Sequence, residues 1–169
     1  MRLELQLHPD CTCCAVQRIE VELGRPQADA LALRYIVTGN IADIRLAPAA
    51  APARTDALWR TTCFEAFVSE VGGYTEFNFA PSTQWAAYRF EGYRAGVQNA
   101  PASPAIQLSL GETRLDLRAC APVTATARRL ALTAVIEEVN GAKSYWSLRH
   151  PPGKPDFHHA DSFAYELNP

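Results

Sequence analysis

The segment HPPGKPDFHHAD, residues 150–161, holds three of the four histidines of the chain and two aspartates. Histidine and carboxylate side chains bind catalytic metals and carry out acid–base catalysis. Four of these residues are candidate metal ligands: His150, His158, His159 and Asp161. Adjacent side chains in an extended segment diverge, so one metal does not readily take both His158 and His159. The prolines stiffen the loop, and we interpret it as a pocket rim in which His158 or His159 donates a hydrogen bond. A metal-dependent hydrolase built on this loop is the alternative.

Polar side chains on two neighbouring strands form the second candidate group. In CFEAFV (63–68) and YTEFNF (74–79), successive side chains point to opposite faces of a strand. If these strands pair, Glu65, Glu76 and Asn78 lie on one face, where they suit hydrogen bonding to a hydroxyl-rich ligand. The alternative is an ordinary solvated sheet face. Two carboxylates also raise the possibility of glycoside hydrolysis, but the sequence shows no cause for the raised pKa that its general acid requires.

The three tryptophans differ in their predicted positions. Trp146 lies in the middle of a strand pattern and is predicted to be in the core. In WAAYRF (85–90), Trp85 and Arg89 share one face, which indicates either a pocket wall or ordinary packing. Trp59 ends a long loop and directly precedes the first acidic strand, a position that favours an aromatic platform for a ligand.

The five cysteines are an odd number and are unevenly spaced. Cys11, Cys13 and Cys14 crowd together, but no second C-x-x-C pair is present to complete a zinc site. Cys63 and Cys120 fall in apolar strand patterns and are predicted to be buried thiols. This cysteine usage fits a reducing compartment.

Composition excludes several classes of protein. The chain has 169 residues, of which 48% are hydrophobic and 20% charged, and its net charge is −2. Its 14 arginines and 2 lysines are scattered, so no basic field favours nucleic acid or an acidic membrane. The N-terminus lacks the apolar core of a signal peptide, and no stretch approaches the ~20 apolar residues of a membrane span. We expect a single cytoplasmic domain, residues 1–169.

The dominant hydrophobic period is two, which predicts half-buried strands. Leu3, Leu5 and Leu7 alternate with polar residues, and Asn140-Gly141 is a typical hairpin turn. No segment longer than ~10 residues keeps a helical period. The predicted fold is all-β with little helix: about ten strands in an antiparallel β-sandwich of the jelly-roll or immunoglobulin-like kind.

Three stretches carry a resemblance to a known family: WRTTCFEAFV, YTEFNFAPSTQWAAYRF and PDFHHADSFAYEL. They resemble the DOMON-like proteins, and most of all the branch similar to the family-nine carbohydrate-binding modules. The resemblance implies that two aromatic residues clamp a terminal sugar ring, and Trp59 and Phe157 take these positions. It places Glu65 at the hydroxyl-binding acid and Asn78 where a basic residue is usual.

The resemblance and the residues together predict a non-catalytic domain that binds a saccharide or a sugar derivative. Trp59 and Phe157 are expected to clamp the ligand. The other candidate binding residues are Glu65, Glu76, Asn78, Trp85, Arg89 and His158. DOMON domains elsewhere bind haem through methionine and histidine, but the single methionine here is Met1, so we expect no cofactor. The alternatives are the metal-dependent hydrolase and a cytoplasmic protein-interaction module, and the oligomeric state stays open.

Overall fold

The computed structural model describes residues 1–167. These residues form twelve β-strands: β1 Arg2–Leu7, β2 Val16–Gln27, β3 Ala30–Gly39, β4 Cys63–Glu70, β5 Gly73–Phe79, β6 Trp85–Phe90, β7 Gln98–Asn99, β8 Ala105–Leu110, β9 Arg114–Pro122, β10 Arg129–Glu137, β11 Lys143–Ser147 and β12 Tyr165–Glu166. They also form three 3-10 helices of three residues each: Ile41–Asp43, Leu58–Arg60 and Ala160–Ser162. The prediction of an all-β chain with little helix is confirmed. None of these helices has the length and apolar composition needed to cross a bilayer.

The strands pair in the order β7-β6-β5-β4-β10-β11-β1-β2-β3-β9-β8, and β12 pairs with the start of β10. The pairings between these strands are antiparallel, and the sheet curls into a half-barrel. Strand β1 pairs with β2 along most of its length and with β11 through Gln6 and Leu7, so it joins the two halves of the sheet. The apolar side chains of both halves pack against each other inside the curl.

Strand β2 shows how alternation builds this arrangement. Ile19 and Val21 are fully buried in the core, whereas Glu20 and Glu22 lie on the outer face. Burial of each branched side chain stabilises the fold by roughly 1.5–3 kcal/mol. Leu5 of β1 enters the same core, so the period of two identified both the strands and their inner faces.

Strand β4 departs from simple alternation because all of its first six residues are buried. Phe64 faces the core, where it packs against Tyr35 of β3. Glu65 and Phe67 are on the opposite, outer face, yet the segment 150–163 covers that face as well. Tyr35 donates a hydrogen bond of 2.7 Å across the core to the backbone carbonyl of Glu65. Both halves of the sheet therefore fix the position of this glutamate.

The hairpin of β4 and β5 has the predicted register. Glu65 lies opposite Asn78, and Phe67 lies opposite Glu76. Directly opposed residues point to the same side of a sheet. The predicted common face of the two glutamates and Asn78 is therefore confirmed.

Two predictions about burial have different outcomes. Trp146 is buried in the core as predicted. All five cysteines are free thiols, and Cys63 is buried, but the prediction for Cys120 is wrong because its side chain is exposed. In β9, Ala119 and Ala121 face the core, so Cys120 between them points outward.

Candidate functional site

A cleft of about 690 Å³ opens on the outer face of the half-sheet that contains β4, β5, β6, β10 and β11. Its floor is formed by Glu65, Glu76 and Phe67, and its rim includes Trp59. The segment 150–163 covers one side, because the Phe157 and His158 side chains pack onto Phe67. A cleft of this volume fits a small organic ligand.

The two carboxylates at the floor are almost fully buried: Glu65 is 2% and Glu76 5% exposed. Glu65 Oε2 accepts a hydrogen bond from Thr133 Oγ1 at 3.0 Å. Glu76 Oε1 accepts one from Asn78 Nδ2 at 2.7 Å. No hydrogen bond to a residue within 1–167 engages the second oxygen of either carboxylate. Each glutamate is therefore held by one oxygen and has the other available to a ligand.

Burial raises the pKa of both glutamates. The pKa of Glu65 lies well above its usual value, first because of desolvation and then because of the neighbouring charge of Glu76. Desolvation also raises the pKa of Glu76, although the Asn78 hydrogen bond and the charge of Arg94 act in the opposite direction. Two buried carboxylates so close together favour keeping a proton between them. The floor can thus donate as well as accept hydrogen bonds.

His158 is a neutral imidazole beside these carboxylates. Tyr74 Oη accepts the Arg94 backbone N–H at 3.2 Å and shares a hydrogen bond of 2.7 Å with His158 Nδ1. The other ring nitrogen, Nε2, lies 3.7 Å from Glu76 Oε2. Desolvation, and after it the charge of Arg94, lowers the pKa of His158 to about 4. The distance of 3.7 Å exceeds hydrogen-bond length. Since the imidazole is neutral, it does not form an ion pair with Glu76.

Phe157 and Trp59 line the same cleft but differ in environment. Phe157 is 9% exposed and belongs to an aromatic cluster on the cleft side of the sheet, where its ring centre lies 6.0 Å from Tyr145 and 6.5 Å from Phe67. Trp59 is 46% exposed, and the Arg60 guanidinium carbon lies over its ring, 5.4 Å from the ring centre. Phe157 is therefore a wall residue, and Trp59 is a half-exposed aromatic residue of the rim.

Asp156 fastens the covering segment to the sheet. Its carboxylate accepts hydrogen bonds from Tyr93 Oη at 2.5 Å, from Arg94 Nη2 at 2.9 Å and from the His158 backbone N–H at 3.1 Å. Ser162 Oγ donates to its carbonyl at 3.0 Å. These bonds hold Phe157 and His158 over the floor, so Asp156 positions the cleft wall.

The structure adds cleft residues that sequence reasoning missed, including Tyr88, Tyr145 and Arg94. Tyr88 lies opposite Glu76 in the sheet and donates a 2.6 Å hydrogen bond to Asp56. Burial and then that hydrogen bond raise the pKa of Tyr88 to about 12. The alternation of β6 places Tyr88 on the face opposite Trp85, and this pattern could have identified it as a cleft residue. Arg94 belongs to no periodic pattern, so nothing in the sequence identified it.

The structure separates Trp85 and Arg89 from the cleft. Both lie on the core-side face of β6, opposite Phe79 and Thr75 respectively. The Arg89 guanidinium donates to the backbone carbonyls of Tyr74 at 3.0 Å and Phe90 at 2.5 Å. Successive side chains of β6 point to opposite faces of the sheet. The even-numbered residues of this strand face the cleft, so the odd-numbered Trp85 and Arg89 face away from it. Trp85 and Arg89 are therefore not a pocket wall. Trp85 packs against the core, and Arg89 closes the hairpin through its hydrogen bonds.

Asn78 lies on the cleft side but beneath its surface. It is fully buried, donates to Glu76 and accepts a 3.6 Å contact from Cys63 Sγ–H. Its amide is therefore occupied by protein groups. Asn78 orients a floor carboxylate instead of lining the cleft.

The candidate metal ligands do not converge. His150 Nε2 hydrogen-bonds the Gln6 carbonyl at 2.8 Å, and His159 Nδ1 accepts the Asp161 backbone N–H at 3.2 Å on the surface. His158 is held by Tyr74, as described above. In the part of the chain that the structure describes, no group of three or more histidine, cysteine or acidic side chains is arranged to hold a metal ion. The metal-dependent hydrolase has no ligand set there.

The fold and the cleft together define an all-β protein with an aromatic-walled cleft of small-molecule size. Neither a family model nor a curated protein sequence matches the chain. Among solved structures, the chain is similar to a putative carbohydrate-binding protein from Bacteroides uniformis ATCC 8492, with 17% sequence identity and a TM-score of 0.65. The match covers 96% of this chain and 84% of that one. At this identity the likeness shows a common fold.

Proposed function

We propose that this protein, as a single domain, reversibly binds a saccharide or a sugar derivative in the cleft without converting it. The observation that carries the proposal is a pair of buried carboxylates at the floor of an aromatic-walled cleft. Aromatic faces stack against the C–H faces of a pyranose ring, whereas its hydroxyl groups need donors and acceptors around the ring edge. The cleft offers both.

Each group has a distinct role in this proposal. The sugar hydroxyl groups form hydrogen bonds at the floor with Glu65 Oε1, Glu76 Oε2 and His158 Nε2. Trp59 stacks on the outer face of the ring, and Phe157 contacts it from the wall. Asn78 contributes indirectly, because its hydrogen bond holds the Glu76 carboxylate.

The comparisons support the ligand class in a general way. The solved neighbour is a putative carbohydrate-binding protein. The finer assignment to a DOMON-like sandwich, similar to the family-nine modules, belongs to the same proposal and rests on the sequence resemblance. Neither nucleic acid nor a membrane surface is part of it, because the chain carries a net charge of −2 without a cluster of basic residues.

Calorimetric titration with a panel of mono- and disaccharides tests the proposal. We expect at least one sugar to bind, and Trp59→Ala to weaken its binding about tenfold, the equivalent of about 1.4 kcal/mol of lost stacking. The matched control is Leu110→Ala on β8, which removes a side chain that is 54% exposed on the other half of the sheet. That variant should bind as the wild type does.

The same titrations separate binding from hydrolysis. Proton NMR of a bound disaccharide recovered after incubation should show an unchanged glycosidic bond. Release of the two monosaccharides would instead give the Glu65/Glu76 pair a catalytic role. If no sugar in the panel binds the wild-type protein, or if Trp59→Ala and Leu110→Ala behave alike, saccharide binding at this cleft is refuted.

A further inference from the structure

Two cations lie beside the aromatic rim of the cleft. Arg60 and Lys143 both line it and both are exposed. Arg60 is in the 3-10 helix that carries Trp59, and its guanidinium carbon lies 5.4 Å from the centre of the Trp59 ring. Lys143, the first residue of β11, donates a hydrogen bond from Nζ to the Arg60 backbone carbonyl. The contacts place both positive charges next to the platform proposed for the sugar ring.

Among the described residues, these cations have no acidic partner. No ion pair joins Arg60 or Lys143 to a carboxylate of residues 1–167. Asp56, the acidic residue on the rim, pairs with Arg54 at 2.9 Å. Glu137, which lies opposite Lys143 in the sheet, pairs with Arg45 at 3.6 Å.

The third cation of the cleft, Arg94, differs from these two because it has an acidic partner. Arg94 lies 2.9 Å from Asp156 and helps to fasten the covering segment. Its charge is therefore compensated by the protein. Arg60 lies over the Trp59 ring and Lys143 donates to the Arg60 carbonyl, but within residues 1–167 neither cation has an acidic partner.

We propose that the ligand of the cleft is an anionic saccharide, whose carboxylate or phosphate group binds between Arg60 and Lys143 while its ring stacks on Trp59. This inference rests on the proposed function and narrows its ligand class. Guanidinium and ammonium groups are the side chains that recognise both types of oxyanion. The chemistry common to a sugar acid and a sugar phosphate is a fixed negative group at the edge of a hydroxylated ring.

The floor of the cleft is compatible with an anionic ligand. Desolvation raises the pKa of Glu65 and Glu76, which suppresses a double negative charge beneath the ring. Like-charge repulsion of the ligand is reduced accordingly. The hydroxyl groups then face the floor, and the anionic group faces the rim, where Arg60 and Lys143 are exposed.

Titration with three probes tests the inference: glucose, glucuronate and glucose 6-phosphate, each at 50 mM and at 500 mM salt. We expect at least one anionic probe to bind about tenfold more tightly than glucose at low salt. High salt should reduce that preference, because exposed charges are screened. Comparison of the two anionic probes tells whether a carboxylate or a phosphate is recognised.

The variant Arg60→Gln/Lys143→Gln should lose the preference for the anion, measured as the ratio of its affinities for the anionic probe and for glucose. The matched control is Arg18→Gln/Arg118→Gln, which makes the same change in net charge on β2 and β9. It should keep the preference. Since Lys143 also supports the Trp59 turn, Arg60→Lys/Lys143→Arg serves as a second variant, and it should keep the preference as well.

The outcomes separate this inference from the proposed function. If glucose binds as tightly as both anions, or if the double glutamine variant keeps the preference, the anionic ligand is refuted while saccharide binding stands. If neither glucose nor either anion binds and the wider sugar panel also fails, both proposals are refuted.

Discussion

The two halves of the curled sheet have outer faces built from the same residue types and the same strand alternation, yet their charges behave in opposite ways. The network face is the outer face of β2, β3 and β9, where Glu22, Arg34 and Asp116 form a chain of ion pairs. The cleft face is the outer face of β4, β5, β6, β10 and β11, where Glu65 and Glu76 lie under aromatic residues. What covers a face decides the chemistry of its carboxylates.

The pKa values of the acids show this difference directly. Hydrogen bonds from Arg2 and Arg34 lower the pKa of Glu22, and a hydrogen bond from Arg114 lowers that of Asp116, with Arg34 also contributing. Desolvation raises the pKa of Glu65 and Glu76. Glu22, Arg34 and Asp116 on the network face are paired with one another, whereas Glu65 and Glu76 on the cleft face retain unused hydrogen-bonding capacity.

A groove of about 500 Å³ also exists on the network face, between β2, β3, β9 and the edge strand β8. Glu22 and Arg34 line it, and they are already paired with each other at 3.1 Å. None of the described residues that line this groove is aromatic. Polar groups with partners leave less for a ligand to bind, so we place the ligand site in the cleft.

The largest effect should come from removing the aromatic support of the cleft face. Phe67→Ala deletes a buried ring that packs against Tyr74, Phe157 and Phe163, and we expect a loss of about 3–5 kcal/mol in the free energy of unfolding. Urea denaturation measures it. Leu110→Ala near the network face should change stability by less than about 0.5 kcal/mol. A loss for Phe67→Ala as small as that of the control would mean that the cover contributes little.

The next effect is a dependence of stability on pH with a definite sign. The pKa of Glu65 is raised in the folded protein, so the folded state keeps the proton to higher pH than the unfolded chain does. The free energy of unfolding therefore falls as the pH rises above the usual carboxyl value. Glu65→Gln has no proton to lose, and we expect it to remove about 1 kcal/mol or more of the decline between pH 5 and pH 8.

Urea denaturation at both pH values, with Glu22→Gln as the control, tests this prediction. The pKa of Glu22 is lowered, so its stabilising effect is fully present above the unfolded pKa and is lost only as the pH falls toward the folded value. Between pH 5 and pH 8 the control should follow the wild type. If the stability of the wild type rises between pH 5 and pH 8 and that of Glu65→Gln changes in the same way, Glu65 does not have a raised pKa in the folded protein.

The smallest effect should come from the network face itself. Asp116→Asn removes the carboxylate that pairs with Arg34 and Arg114. Partly exposed ion pairs contribute little, so we expect a loss of less than about 1 kcal/mol at pH 7 and a smaller one in 1 M salt. Thermal and urea denaturation at two salt concentrations measure it. If Asp116→Asn lowers the free energy of unfolding by more than Phe67→Ala does, and by the same amount at both salt concentrations, the ion pairs of the network face stabilise the fold more than the aromatic cover of the cleft face.

Much of the fold was accessible from local patterns. The period of two identified the hairpin of β4 and β5, and the Asn140-Gly141 turn joins β10 to β11 with Gly141 at φ +88°. The same pattern was misapplied at Cys120, because an apolar run does not by itself tell which face is inside. Trp85 and Arg89 were correctly paired on one face, but the pattern left undecided whether that face was the core or the cleft.

The site was accessible only in part. Alternation brought Glu65 and Glu76 together, because strand pairing follows from a local turn. The pKa of each carboxyl was inaccessible, since it depends on Phe157 and His158 arriving from a segment about eighty residues away in the chain. Arg94 and Tyr74, whose hydrogen bonds hold His158 in place, likewise come from different parts of the chain.

The sequence by itself determined an all-β chain, the inner and outer faces of its strands, and the common face of the two glutamates, because these depend on neighbours within a strand or across one turn. Only the tertiary structure decided that this outer face is covered, that its acids are desolvated and that Arg60 and Lys143 lie beside Trp59 with no acidic partner among residues 1–167. Burial and long-range charge are properties of residues distant in the chain, and folding alone brings those residues together.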